Sequence, residues 1–318
     1  MFQTDLNHWL QSFETEALTF FLKSISFVGE VYPVMLICLL VIGGIHLRKG
    51  WILLNMVALT AYLTTVTKEV IDYPRPLAVD SQLKSFGQII TPIDHSELQP
   101  DGFFELFSDP LLSIIRSVDL GRHGLPSGHT SGQVAVWMGL FLLFRTRFLK
   151  MFSTFMILMT IWSRMYLGMH YLGDVLGGLA LGTAVTYGIY RLSIKSEKKQ
   201  VLWKYLFAAI IVLPWLALES EGNWQAALLI GANIAYLMHT HDHEYEFKKN
   251  IITQLIQSVS LVFVFLSLFI SIKWMSRDLN AILQNIAMLT AGFIPLYIWI
   301  LANKKLEWLL PVTKKSYG

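Results

Sequence analysis

Cysteine is nearly absent from this chain. The one in 318 residues, Cys38, lies inside an apolar run, which excludes an internal disulfide and argues against a thiolate metal site. Charge is scarce as well. Asp, Glu, Lys and Arg make up 15% of the residues, against about 25% in an ordinary soluble domain. The formal net charge of +3 is too small to imply a nucleic-acid partner. No internal repeat or low-complexity tract stands out, and no Asn-x-Ser/Thr glycosylation site occurs. No removable signal peptide is expected, because Met1 to Lys23 carries Asp5, Glu14 and Glu16 and lacks a basic stretch before a short apolar core. Hydrocarbon is what the chain has in abundance: 54% of residues are hydrophobic and the mean hydropathy is +0.51. This is the composition of an all-α, multi-span membrane protein.

Leu6, Trp9, Leu10, Phe13, Leu18 and Phe21 recur at helical spacing among polar residues, which predicts an amphipathic helix that either lies on the membrane surface or packs on other loops. Apolar segments long enough for a hydrocarbon core of roughly 30 Å follow at Phe27 to Leu47, Trp51 to Ile71, Ser127 to Phe144, Phe148 to Leu167 and Val175 to Ile194. Four more run from Val201 to Leu218, Trp224 to His239, Ile251 to Ile272 and Ala281 to Leu301, for nine in all.

With nine spans the termini lie on opposite sides. Connections on one side carry sixteen Lys and Arg, those on the other nine. The richer side is cytoplasmic by the positive-inside rule, so the C-terminus is expected inside and the N-terminus outside. Arg191 to Lys204 then reads as a basic cytoplasmic turn.

Three polar blocks fall on the predicted outer side. Lys68 and Arg75-Pro76 close the second span, where Pro74 and Pro76 end the helix. Two fixed cations there can hold a phosphoryl group, one as a point charge and one as a planar fork. Pro126-Ser127-Gly128-His129 reads as a helix start, with Ser127 as cap and Gly128 letting an anion approach the free N–H groups. Ser163-Arg164 ends the fourth span and adds a third cation. His170 and Asp174, four residues apart, share one helical side. A carboxylate that fixes one ring nitrogen leaves the other as a directed nucleophile or base, and His129 is available as an acid.

These blocks, Lys68-x6-Arg75-Pro76, Pro126-Ser127-Gly128-His129 and Ser163-Arg164-x5-His170-x3-Asp174, resemble the three-part signature of the type-2 phosphatidic acid phosphatase superfamily, which is related to membrane glucose-6-phosphatases and sphingosine-phosphate phosphatases. The resemblance covers about Trp51 to Ile194, and every signature position is filled. It implies a helical bundle with a six-helix core: an amphipathic segment at 1–26, a catalytic core at 27–218 with an outer-side insertion at 77–125, and a three-helix extension at 219–318. It also implies that Lys68, Arg75, Arg164, Ser127 and the Gly128 amide bind phosphate. His170 would form a phosphohistidine, Asp174 would orient it, and His129 would protonate the leaving oxygen, with no metal and no cofactor.

Other features carry smaller expectations. The stretch from Leu77 to Leu125 is long enough for a lid or ordered insertion, with a helix start at Ser108-Asp109-Pro110 and an apolar Leu111 to Val118 on the bilayer surface. Arg122 and His123 read as solvated loop residues in preference to phosphate or head-group ligands, Glu30 as an interfacial carboxylate in preference to a site-facing one, and Gly173, Gly177, Gly178 and Gly182 as positions of close helix packing. His239, His241 and His243 fall on the cytoplasmic side in an acidic loop, and no metal is expected there.

The sequence therefore points to an integral-membrane phosphatase of a lipid phosphate monoester or diphosphate, acting at the non-cytoplasmic face of a bacterial cytoplasmic membrane. Its expected partners are a phosphorylated lipid and the surrounding membrane lipids. No oligomeric state is assigned. A phosphatase of a soluble sugar phosphate and a lipid phosphotransferase share the chemistry, as does a vanadate haloperoxidase, whose usual soluble setting does not fit. A noncatalytic lipid transporter would line a path across the bilayer, whereas the ionisable residues here gather at one face.

Overall fold

The protein is described by a computed structural model at residues 1–87, 100, 102–103, 105–118, 123–194, 223–240, 245–247 and 250–311. The expected span at Val201 to Leu218, with Arg122, His241 and His243, lies outside the described residues.

The described chain is nearly all-α. Its helices are α1 (Asp5–Gln11), α2 (Glu16–Val28), α3 (Val31–Leu40), α4 (Leu47–Ile71), α5 (Pro76–Val79) and α6 (Asp109–Val118). Then come α7 (Gly128–Phe144), α8 (Arg147–Tyr166), α9 (Leu172–Ile194), α10 (Asn223–Thr240), α11 (Ile251–Ser276) and α12 (Ala281–Lys305). One turn of π-helix, Val41–Ile45, follows α3. Short polar side chains set several starts: Thr15, Ser127, Thr146, Asn250 and Asn280 each accept a bond from the first turn of the helix that they open, satisfying donors that would otherwise be orphaned.

Among the described residues four helices are long and apolar enough to cross a membrane: those ending or beginning at the α4, α9, α11 and α12 segments; a fifth is gained if α2 with α3 and the π-turn forms one broken span. The nine expected spans are thus met only in part. α7 has 17 residues, about 25 Å at 1.5 Å per residue, short of a core of about 30 Å. α8 is longer but carries Arg147, Lys150 and Arg164, and the first expected span is interrupted between Val28 and Val31.

The chain forms two compact units, Met1–Pro33 with Leu63–Gly188, and Val34–Tyr62 with Ile189–Gly318. In the first, α8 packs against α7, α2 and α1. Its apolar centre gathers Leu10, Leu22, Leu77, Leu83, Met165, Tyr166, Leu167, Met169 and Val175, with a second cluster of Phe2, Tyr73, Val79, Phe107, Leu112 and Tyr171. α1 turns Asn7 and Gln11 inward, not toward a membrane surface: Asn7 Nδ2 donates to the carbonyls of Met165 at 2.7 Å and His170 at 3.1 Å, and Gln11 Nε2 donates to that of Tyr166 at 2.9 Å. Trp9 and Phe13 stay exposed. The N-terminal segment thereby ties down the loop between α8 and α9.

In the second unit α12 packs on α10 and α11. An added Cβ at Gly231 would run into the Leu289 carbonyl, and one at Gly292 into that of Leu228, so the α10 and α12 backbones touch where neither residue has a side chain. A short antiparallel ladder pairs β1 (Tyr245–Phe247) with β2 (Leu309–Pro311).

Candidate active site

All eight candidate residues belong to the first unit. α4 stops at Ile71, where Asp72 takes a left-handed conformation (φ 47°) and Pro74 and Pro76 prevent its resumption. Lys68 thus stands in the last turn, and its Nζ donates to the His123 carbonyl at 2.6 Å. Arg75 immediately precedes α5 in extended backbone. The His123 ring turns back to the helix end, with Nδ1 3.2 Å from the Lys68 carbonyl and 3.4 Å from Asp72 Oδ1. His123 was expected as a solvated loop residue and instead joins the structure that holds Lys68.

At the start of α7, Ser127 Oγ accepts from the Thr130 N–H at 3.4 Å and the Thr130 hydroxyl at 3.0 Å. The Ser127 N–H donates to the Asp174 carbonyl at 2.9 Å, linking this helix start to the first turn of α9. A Cβ on Gly128 would lie 3.7 Å from Lys68 Cε, which sets the lysine stem beside the exposed amides of the cap. Glycines hold α9 this close: a Cβ at Gly178 would come within 2.5 Å of the Ser127 carbonyl, and one at Gly182 within 2.7 Å of the Ser131 carbonyl. This is the close packing that the four-residue spacing predicts.

His170 lies in the loop before α9. Its Nδ1 is 3.2 Å from Asp174 Oδ2, which also accepts from the Tyr171 N–H at 3.0 Å. Both side chains are buried, His170 at 2% exposure and Asp174 at 0%. Burial, and then the charges of Arg164, Lys68 and Arg75, hold the His170 pKa well below its ordinary value. The imidazole is therefore neutral at pH 7, with Nδ1 engaged by the carboxylate and Nε2 left over. Arg164 is also buried; its Nη1 donates to Ser26 Oγ at 2.6 Å, while its Nε and Asp174 Oδ1 have no hydrogen-bond partner among the described residues. Arg75 acts electrostatically on Lys68, Arg164 and Asp174. Three basic side chains, a neutral histidine and a helix N-terminus create a region of positive potential suited to a tetrahedral oxyanion.

Glu30 corrects a sequence expectation. It is not merely interfacial: its Oε1 lies 3.2 Å from His129 Nε2, so each candidate histidine faces its own carboxylate. Gly29 makes the approach possible, since a Cβ there would sit 2.9 Å from His129 Cδ2. The only sequence signal for Glu30 was a carboxylate at an apolar border. Ser26 and Asn7 gave none.

Elsewhere, His239 Nε2 donates to the Tyr297 carbonyl at 3.1 Å. Among the described residues no group of three or more His, Cys, Asp or Glu side chains is gathered as a metal would need.

Residues 49–198, a stretch that contains every candidate position, match the model of the PAP2 superfamily. Over 79 residues the chain is 27% identical to lipid A 4'-phosphatase of Porphyromonas gingivalis. That match covers 25% of this chain and 34% of the relative, so the chain aligns with about a third of the curated protein's length. No solved structure matches the chain.

Proposed function

We propose that this chain, on the PAP2 superfamily frame of residues 49–198, is an integral-membrane phosphatase that hydrolyses a lipid phosphate monoester or diphosphate through a phosphohistidine, without a metal. Lys68, Arg75 and Arg164, with the Ser127 hydroxyl and the Gly128 amide, hold the equatorial oxygens of the phosphoryl group. His170 Nε2 attacks phosphorus while Asp174 holds Nδ1–H and stabilises the positive charge that develops on the ring. The bond from phosphorus to the leaving oxygen breaks, and that oxygen takes a proton from His129. His129, now neutral, accepts a proton from water, whose oxygen attacks phosphorus; the P–N bond breaks and inorganic phosphate leaves with His170 restored. Phosphoryl transfer asks a protein mainly for in-line positioning and charge neutralisation. Each well-placed donor contributes about 3 kcal/mol in the transition state by analogy with oxyanion-hole deletions.

The observation that carries this reading is the buried His170 and Asp174 pair, 3.2 Å apart and under the field of three cations. A structural ion pair has no need of a neutral histidine among three positive groups, and such a cluster is unfavourable until an anion joins it. The similarity to a protein named as a lipid phosphatase supports a lipid substrate. If the chain crosses nine times, the Lys and Arg distribution supports a C-terminus inside and a site facing the periplasm or exterior.

The test is phosphate release by the purified full chain in chelator, from phosphatidate, phosphatidylglycerophosphate, isoprenyl phosphate and diphosphate, and glucose 6-phosphate, beside His170→Ala. The expected result is metal-independent release from at least one lipid phosphate, reduced by about 10⁴-fold or more in the variant. Equal background from both proteins on every substrate would sink the proposal.

A further inference from the structure

α1 lies outside residues 49–198, yet it reaches the backbone that carries the candidate nucleophile. His170 comes from the short loop 167–171 between α8 and α9. The peptide unit that follows His170 is gripped at both ends. Its N–H, that of Tyr171, donates to Asp174 Oδ2 at 3.0 Å, the same oxygen that lies 3.2 Å from His170 Nδ1. Its carbonyl accepts from Asn7 Nδ2 at 3.1 Å. With both ends held, the peptide plane resists rotation, and the imidazole carried on the same Cα keeps one heading.

Asn7 also binds the helix before the loop. Its Nδ2 donates to the Met165 carbonyl at 2.7 Å, and Met165 follows Arg164 in the last turn of α8. That end is firm without Asn7, because the Met165 carbonyl accepts from the Gly168 N–H at 3.0 Å as well. The loop is the end that needs holding. Both neighbours of the amide are carbonyls, which only accept, so its two N–H groups must face them. Asn7 is 0% exposed, and its Oδ1 has no hydrogen-bond partner among the described residues. A side chain serving stability alone would satisfy both of its ends. This one leaves a buried acceptor unmet and commits its donors to backbone on either side of the nucleophile loop. We propose that Asn7 is a positioning residue, which sets the heading of His170 by tying the His170 carbonyl to the end of α8. This rests on the reading of His170 as the nucleophile of a phosphatase.

In-line attack depends on that heading: a misplacement of about 1 Å can cost roughly 100-fold in rate. Binding of phosphate by Lys68, Arg75 and Arg164 does not. Gln11, one turn further along α1, supplies the control. It too is buried, donates to the Tyr166 carbonyl at 2.9 Å and accepts from the Lys84 N–H at 2.9 Å, and neither bond involves the His170 peptide.

The test measures kcat, KM, inhibition by inorganic phosphate and melting temperature in detergent for the full chain and for Asn7→Leu, Asn7→Ser and Gln11→Leu. The substrate is the member of the panel above that wild type hydrolyses fastest. The Asn7 variants should lower kcat about 100-fold, with KM and the phosphate inhibition constant within about threefold of wild type. Gln11→Leu should lower the melting temperature to a similar extent and keep kcat within about threefold. Asn7→Ser carries the comparison alone if Asn7→Leu is not recovered folded. Unchanged kcat in the Asn7 variants, a loss carried by KM, or an equal kcat loss in Gln11→Leu would overturn the positioning role and leave the phosphatase standing. So would failure of both Asn7 variants to fold, which would assign the residue to stability. Wild type that releases phosphate from no member of the panel would remove both.

Discussion

In the first unit the buried polar side chains include Asp72, Asp80, Arg164, His170 and Asp174, whereas those described as buried in the second are uncharged: Asn55, Thr60, Ser193, Asn233, Thr240, Gln257, Ser258, Ser276 and Asn303. The second unit pairs its amides with one another. Asn55 Nδ2 donates to Asn233 Oδ1 at 3.0 Å, Asn233 Nδ2 returns a bond to Asn55 Oδ1 at 2.9 Å, and Trp51 Nε1 adds a third at 2.7 Å. Gln257 and Asn303 bond at 2.9 Å. Neutral pairs of this kind join helices at modest cost, because an unmatched neutral dipole such as Gln257 Oε1, which has no partner among the described residues, costs less than an unmatched charge. The first unit instead keeps buried charge that is incompletely matched among the described residues, with Arg164 Nε and Asp174 Oδ1 unpartnered there. Where buried ions are retained without full pairing, stability is a poor explanation and a ligand is a better one.

The contrast can be broken or sharpened at three points. The largest effect is expected in the first unit from Glu30→Gln, which keeps size and removes the charge facing His129. Phosphate release should fall about 100-fold in kcat, the scale of general acid–base assistance, with little change in the melting temperature in detergent. Unchanged kcat would return Glu30 to the interfacial role read from the sequence.

In the second unit the same removal of polarity should act on stability alone. Asn55→Leu leaves Asn233 Nδ2 without its acceptor and should destabilise by about 1–3 kcal/mol, and Asn55→Leu with Asn233→Leu should cost at least as much, because it also removes the acceptor of the Trp51 indole N–H. Thermal unfolding in detergent reads both, and kcat should not move. A double variant worse than the sum of the singles would mean that the pair does more than satisfy itself.

The smallest effect concerns Asp80, a buried carboxylate outside the spans. Burial acts to raise its pKa, but bonds from Thr4, His8 and the Gln82 N–H outweigh that and hold it below its ordinary value. A carboxylate depressed in the folded state contributes stability above its unfolded pKa of about 3.9, and that contribution is lost as pH falls through the folded pKa. Asp80→Asn should therefore cost about 1 kcal/mol at neutral pH, with the difference between the two melting curves closing below about pH 4. A difference independent of pH would show that charge at Asp80 is not what anchors α1.

Much of the site was legible because its parts are local. His170 and Asp174 are four apart, the cap and its Gly128 are adjacent, and Pro74 and Pro76 punctuate a helix whichever fold surrounds them. Four of the expected spans coincide with helices long and apolar enough to cross a membrane. The first could not be read as broken, since hydropathy averages over Gly29 and Glu30. α1 was read by its apolar spacing, which says where hydrophobes lie but not that Asn7 and Gln11 would find carbonyls to bond.

By itself, the sequence determined that the chain is helical and membrane-borne, and that three cations, two histidines and an aspartate stand at helix ends, because composition, periodicity and short spacings act within one turn or one span. Only the tertiary structure decided which distant groups complete them. Glu30 meets His129 across 99 positions, and Asn7 reaches the His170 carbonyl across 163. Contacts at such separations depend on how helices pack, and nothing in the local chain encodes them one residue at a time.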